Sequence, residues 1–150
     1  MITMAKFKGY NATEECWFCG GVVFQNGNGY IVRDGGDIVR CCSICESIGA
    51  ADKDGTEVYE DDLIAVVKDY IDARCEDGEW CEYRHKELIL FRVERSRFGF
   101  YAVEVRGGKP YEEYGLGWVA SEGKVVGSLH DCEDVGELYE KLEKEMIEND

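Results

Sequence analysis

Apolar and β-branched residues come in short runs along this chain, and most runs end in a glycine beside Asn or Asp, the pattern of strands joined by tight turns. Lys6 to Tyr10 predicts a short strand. Cys16 to Phe24 and Tyr30 to Arg33 flank Gln25-Asn-Gly-Asn-Gly29 and predict a hairpin. A second turn, Asp34 to Asp37, precedes Ile38-Val-Arg40 and the group Cys41, Cys42, Cys45. At Ala51-Asp-Lys-Asp-Gly-Thr56 a polar turn leads into Val58 and Tyr59, then an acidic triplet, Glu60-Asp61-Asp62.

Leu63 to Ala73 fits a helix or a strand by periodicity alone. The next residues decide it: Asp77-Gly78 lies between Ile71 to Cys75 and Trp80 to Tyr83, which reads as a hairpin. Leu88 to Val93 and Phe100 to Val105 predict two more strands around a turn at Arg95 to Gly99. Arg106 to Pro110 reads as a loop, and Tyr114 to Val119 and Lys124 to Leu129 as the last extended pieces, joined at Ser121 to Gly123. One helix closes the chain: Asp134 and Glu137 have capping-box spacing, and Val135, Leu138, Leu142 and Met146 form a stripe at helical intervals. The expected architecture is mainly β, a small barrel or twisted antiparallel sheets with one C-terminal α-helix. Residues 1–150 read as a single domain, with an N-terminal hairpin part at 1–50, a central barrel at 51–130 and the helix at 131–148.

Composition agrees with many turns, since 18 glycines stand against one proline, Pro110. The 32 acidic and 17 basic residues leave a net charge of −15, which argues against direct binding to nucleic acid. A solvated acidic surface is the plain explanation, and mimicry of nucleic-acid charge toward a basic cleft the sharper one. Met1 to Lys6 has no hydrophobic signal segment and no apolar run approaches the ~18 residues of a membrane span, so the expectation is a soluble, cytoplasmic protein. Eight cysteines in such a compartment suggest thiols or a metal rather than disulfides.

Cys16-x-x-Cys19 and Cys42-x-x-Cys45 have the spacing of a structural zinc site. Were these segments regular strand, cysteines three apart would point to opposite faces and pack as small apolar residues. Cys75 and Cys81 flank the Asp77-Gly78 turn, and Cys132 has no sequence partner. His85 and His130 are the available bases for thiol chemistry. Glu60, Asp61, Asp62 and the later group Asp131, Glu133, Asp134 read as solvated surface or as oxygen donors without EF-hand spacing. Tyr111, Tyr114 and Trp118 are candidates for the floor of a binding groove, a core contact or an oligomer contact.

Several of these stretches together resemble the YopX family of phage and prophage proteins. The residues that carry the resemblance are Lys6-Phe-Lys-Gly9, Trp17-Phe-Cys-Gly20, Asp52-Lys-Asp-Gly55 leading to Val58-Tyr-Glu-Asp-Asp-Leu63, and Val125-Val-Gly-Ser-Leu-His-Asp131. Asp61 departs from the family's glycine, which implies a backbone not restricted to glycine there; Cys19, Cys45 and Cys132 depart from an aromatic, a glycine and an asparagine. The resemblance implies a fold related to SH3-type barrels and a phage or prophage origin, in the bacterial cytoplasm. It supplies no catalytic residues. The resulting expectation is a non-enzymatic accessory protein that binds a host protein and counters host defence, with Glu60, Asp61, Asp62, Tyr111, Tyr114 and Trp118 as contact candidates. The alternatives are a small-ligand binder or enzyme with a Cys/His/carboxylate cleft, and a structural homo-oligomer.

Overall fold

A computed structural model describes residues 6–33, 35–106 and 115–148. Within them the chain is mainly antiparallel β. Strands β1 (Phe7–Asn11), β2 (Cys16–Gln25), β3 (Asn28–Val32), β4 (Ile38–Cys41), β5 (Ser43–Ala51) and β6 (Glu57–Tyr59) form one sheet in the order β4-β3-β2-β1-β5-β6. Strands β7 (Asp62–Glu76), β8 (Glu79–Ser96), β9 (Gly99–Arg106) and β10 (Lys124–Ser128) form a second in the order β10-β7-β8-β9. Helix α1 is Leu116–Glu122, a 3-10 turn covers Leu129–Asp131, and helix α2 is Val135–Glu143, extended by a π turn at Lys144–Glu148.

Both predicted two-residue hairpins form. Asn26 and Gly27 sit at φ 52° and 80°, and Asp77 and Gly78 at 52° and 80°, the left-handed pair that matches the twist of the flanking strands. Leu63 to Ala73 is strand throughout, paired with β8 from Leu63↔Arg92 to Glu76↔Glu79. The separate strands expected at Trp80 to Tyr83 and Leu88 to Val93 are instead one continuous 18-residue strand, β8.

Two expectations are corrected. The strands lie in two open sheets, not a closed SH3-like barrel: β7 turns away at Glu60-Asp61 and pairs with β8 and β10, while β6 stays with β5 in the first sheet. Leu116 to Val119 belongs to a second helix rather than a strand, because Leu116, Val119 and Ala120 at helical spacing reach one apolar cluster. Tyr111 and Tyr114, with the 107–110 part of the predicted loop, lie outside the described residues.

Base positions of β7 and β8 are buried on both sides of the second sheet. One face carries Ile64, Val66, Ile89 and Phe91 against Val58 and α1; the other carries Leu63, Ala65, Leu88 and Leu90 against α2. The α2 stripe packs as expected, with Leu142 buried and Val135, Leu138 and Met146 against the same cluster, and Asp134 caps its start by accepting from Glu137 N. In the first sheet Gly9 lets β4 and β3 close over β1, since a Cβ there would lie 2.6 Å from Cys41 Sγ and 2.8 Å from Ile31 Cγ1. Among the described residues no helix is long and apolar enough to cross a membrane.

Candidate functional site

Four separate stretches of the chain meet where the two sheets adjoin. Asp52 prepares the junction. Its carboxylate is 7% exposed and accepts from Asp54 N and Thr56 N at 2.9 Å within its own turn, and from Val125 N at 2.8 Å across to β10. Burial alone would raise its pKa, but these donors outweigh that and hold it below the ordinary aspartate value. The polar turn is therefore a clamp on the second sheet.

Beyond the turn, the acidic triplet divides three ways. Asp62, the first residue of β7, points inward at 1% exposure, so the expectation of solvated surface or partner contact is corrected for this residue. Its Oδ1 accepts from Lys8 Nζ at 2.5 Å and its Oδ2 from Tyr59 N at 2.8 Å. The Lys8 ammonium also lies 4.7 Å from the Trp17 ring centroid and 4.9 Å from that of Tyr59, a cation held between two aromatic faces and one carboxylate. Desolvation nevertheless keeps the Asp62 carboxyl above its usual pKa. Glu60 turns outward to Arg95, 3.7 Å away, and its pKa is raised by burial and then by the neighbouring charge of Asp61.

Asp61 takes the third direction. It sits at φ 64°, the left-handed region that glycine favours and Asp tolerates, with its N–H on Val93 O and its C=O accepting from Leu129 N, both at 2.8 Å. Its Oδ2 lies 2.8 Å from His130 Nε2. His130 is carried by the 3-10 turn, which a full capping box secures: Ser128 accepts from His130 N, and Asp131 Oδ1 accepts from Ser128 N at 2.9 Å. The other oxygen of Asp131 accepts from Trp17 Nε1 at 3.0 Å, tying this corner to β2.

Cys45 completes the group. It lies on β5 directly beside Lys8 of β1 and is 1% exposed. Its thiol, a carboxylate oxygen of Asp61 and a ring nitrogen of His130 all lie within 4.8 Å of one another, a cluster that could hold a metal ion. Burial, with Asp61 reinforcing it against the opposing pull of Lys8, pushes the Cys45 thiol up to about 12. A thiol so protonated is a poor nucleophile, and the His130 nitrogen that faces the group already bonds Asp61.

The other predicted residues are placed as follows. Cys19 and Cys45 flank Lys8 on opposite sides of β1, two strand spacings or roughly 9–10 Å apart, while Cys16 pairs with Asn11 further along and Cys42 N bonds Tyr10 O. The four cysteines of the double CxxC pattern thus do not converge, for the alternation reason strand geometry supplies. The Tyr59 hydroxyl lies 3.7 Å from Cys19 Sγ and donates to Glu57 Oε2 at 2.9 Å. Cys75 lies opposite Trp80 and Cys81 opposite Arg74, so the two point to different faces of the hairpin. Trp118 is on α1, 39% exposed. His85 stacks on Tyr70 with centroids 5.0 Å apart.

A second feature lies away from the junction. Past Val67 and Leu88, β7 and β8 continue as a two-stranded ribbon of mostly exposed residues ending at Asp77-Gly78. Eight residues from Asp69 to Glu76 carry it roughly 26 Å outward. Ile71 is 55% and Trp80 76% exposed on it, with Ile71, Ala73, Cys75 and Trp80 on one face. A groove of about 840 Å³ on the first sheet, lined in part by Phe7, Val22, Phe24 and Ile44, is a further open concavity.

The junction was half legible. Lys8, Trp17, Tyr59, Asp62, His130 and Asp131 all fall within the four stretches that carried the family resemblance, but nothing in one dimension brings Cys45 to His130. No protein-family model matches the chain, and no curated protein or solved structure is significantly similar to it.

Proposed function

We propose that this chain acts by binding another protein, with the β7–β8 ribbon as its contact surface. The observation that carries the reading is the ribbon itself. A two-stranded hairpin free in water is marginally stable, yet this one projects Ile71 and Trp80 to solvent, the residue types that anchor interfaces when covered. The net charge of −15 disfavours a phosphate backbone as the partner.

The YopX-like resemblance supports the setting: a non-enzymatic phage or prophage accessory protein in the bacterial cytoplasm, acting on a host protein, with interference in host defence as one use of such a contact. Its support is that residues from four distant stretches form one bonded cluster, as expected of parts of a single motif. The protonated, buried Cys45 favours binding over thiol catalysis. Structural zinc at Cys16, Cys19, Cys42 and Cys45 would require the first sheet to open, so it is not part of this reading. The groove of about 840 Å³ favours small-ligand binding as the second reading.

Capture from bacterial lysate tests the proposal. The native chain should retain a defined host protein, and Ile71→Ser with Trp80→Ser should lose it without change in circular dichroism. Equal capture by both would overturn the ribbon as the contact. Native chains that self-associate through the ribbon, with loss in the same variant, would identify the homo-oligomer instead.

A further inference from the structure

We propose that Cys45, Asp61 and His130 form a binding site for a divalent cation of the zinc class, with one coordination position left to water. The donor set is one soft thiolate, one imidazole nitrogen and one carboxylate oxygen, the three ligand types zinc accepts. Tetrahedral zinc with bonds of about 2.0–2.3 Å places its ligand atoms roughly 3.3–3.6 Å apart. Here one edge, His130 to Asp61, is 2.8 Å and none exceeds 4.8 Å, so side-chain rotations of about an ångström bracket that geometry.

Backbone positions of the three donors are secured independently of any ion. Cys45 is in mid-strand, paired with Lys8. His130 is the middle residue of the capped 3-10 turn, and Asp61 has both main-chain groups bonded. Asp61 holds a left-handed conformation at φ 64°, which Asp tolerates, with its Oδ2 2.8 Å from His130 Nε2. The side chains of Asp61 and His130 are 29% and 32% exposed while Cys45 is buried, which opens the group to solvent on one side and leaves room for water as the fourth ligand.

Charge also suits a cation. Asp61, Glu60 and Asp62 all act on Cys45; the Lys8 ammonium is paired with Asp62 and Arg95 lies 3.7 Å from Glu60, so Asp61 is the carboxylate left facing Cys45 and His130. On binding, the Sγ–H bond breaks, a metal–sulfur bond forms, and one proton passes to solvent; no oxidant or reductant is involved.

Cobalt(II) and zinc(II), added separately to the reduced full chain, test the site. Cobalt should saturate at one ion per chain with a thiolate charge-transfer band in the near ultraviolet and the visible bands of tetrahedral coordination, and zinc should displace it. Cys45→Ser should abolish the charge-transfer band, and His130→Gln should weaken binding by about tenfold or more. Asp61→Gly serves as the variant whose fold is secure, because glycine accepts the left-handed backbone, and it too should weaken binding about tenfold or more. A joint Cys16→Ser, Cys19→Ser, Cys42→Ser variant should leave the spectrum unchanged. Absence of the band in the native chain, or its loss in the joint variant with survival in Cys45→Ser, would overturn the proposal.

Discussion

Replacing Lys8 by methionine isolates one of the interactions that join the two sheets. Lys8 has a side-chain exposure of 12% and Asp62 of 1%, so this is a buried ion pair, not a surface one. Methionine keeps much of the apolar stem and adds little cavity, leaving Asp62 with Tyr59 N as its remaining donor. Removing one partner of a buried pair costs about 3–5 kcal/mol, and the lost contacts to Trp17 and Tyr59 lie within that figure. Urea unfolding at pH 7, followed by tryptophan fluorescence and circular dichroism, should show a midpoint lowered by roughly 2 M for a slope near 2 kcal/mol/M.

The pH dependence carries its own sign. Asp62 is already above its usual pKa through burial, and removing Lys8 takes away the hydrogen bond and charge that lower it most, leaving only Tyr59 N. A carboxyl raised in the folded state contributes stability below its unfolded pKa of about 3.9 and loses it as pH rises through the folded value. The deficit of Lys8→Met relative to the parent should therefore be largest near neutrality and shrink on acidification as Asp62 protonates. Adding Asp62→Asn should recover much of the loss, because a neutral pair carries no uncompensated charge. A penalty under about 1 kcal/mol at pH 7, or one that does not shrink on acidification, would refute the reasoning.

Two further outcomes follow from the same physics. Gly9→Ala should lower stability by about 1–3 kcal/mol in thermal or urea unfolding, since the added Cβ meets Cys41 Sγ and Ile31 Cγ1, while Gly21→Ala, with open space around it, should change little. Asp52→Ala should cost about 2–3 kcal/mol at pH 7 by freeing three N–H donors; because the Asp52 pKa is lowered in the fold, that stabilisation is present above the unfolded pKa of about 3.9 and fades as pH falls through the folded value, which unfolding curves taken from pH 7 down to pH 3 would show.

Local rules carried much of the fold. A left-handed Asn-Gly or Asp-Gly pair closes a hairpin whatever surrounds it, so Asn26-Gly27 and Asp77-Gly78 were readable, and with the latter the strand at Leu63 to Ala73. The α2 stripe and its Asp134 cap are likewise set within a few residues. Strand geometry in turn accounts for why the double CxxC spacing does not assemble four thiols: Cys16 and Cys19 fall on opposite faces of β2, and Cys19 and Cys45 share a face but lie two strands apart.

Tertiary structure decided the rest. Leu116 to Ala120 became helix because its apolar face found the cluster around Val119, a contact no local periodicity over so short a run announces. Glu60-Asp61-Asp62 looks uniform in one dimension, yet one carboxylate is buried on Lys8, one meets His130 and one faces Arg95, since each fate depends on which distant strand stands opposite. The same holds for Cys45 and His130, 85 positions apart and neighbours only because β5 and the 3-10 turn close on either side of Asp61. Turns and periodicities are encoded in adjacent residues; burial, charge pairing and ligand geometry arise only when remote segments share the same space.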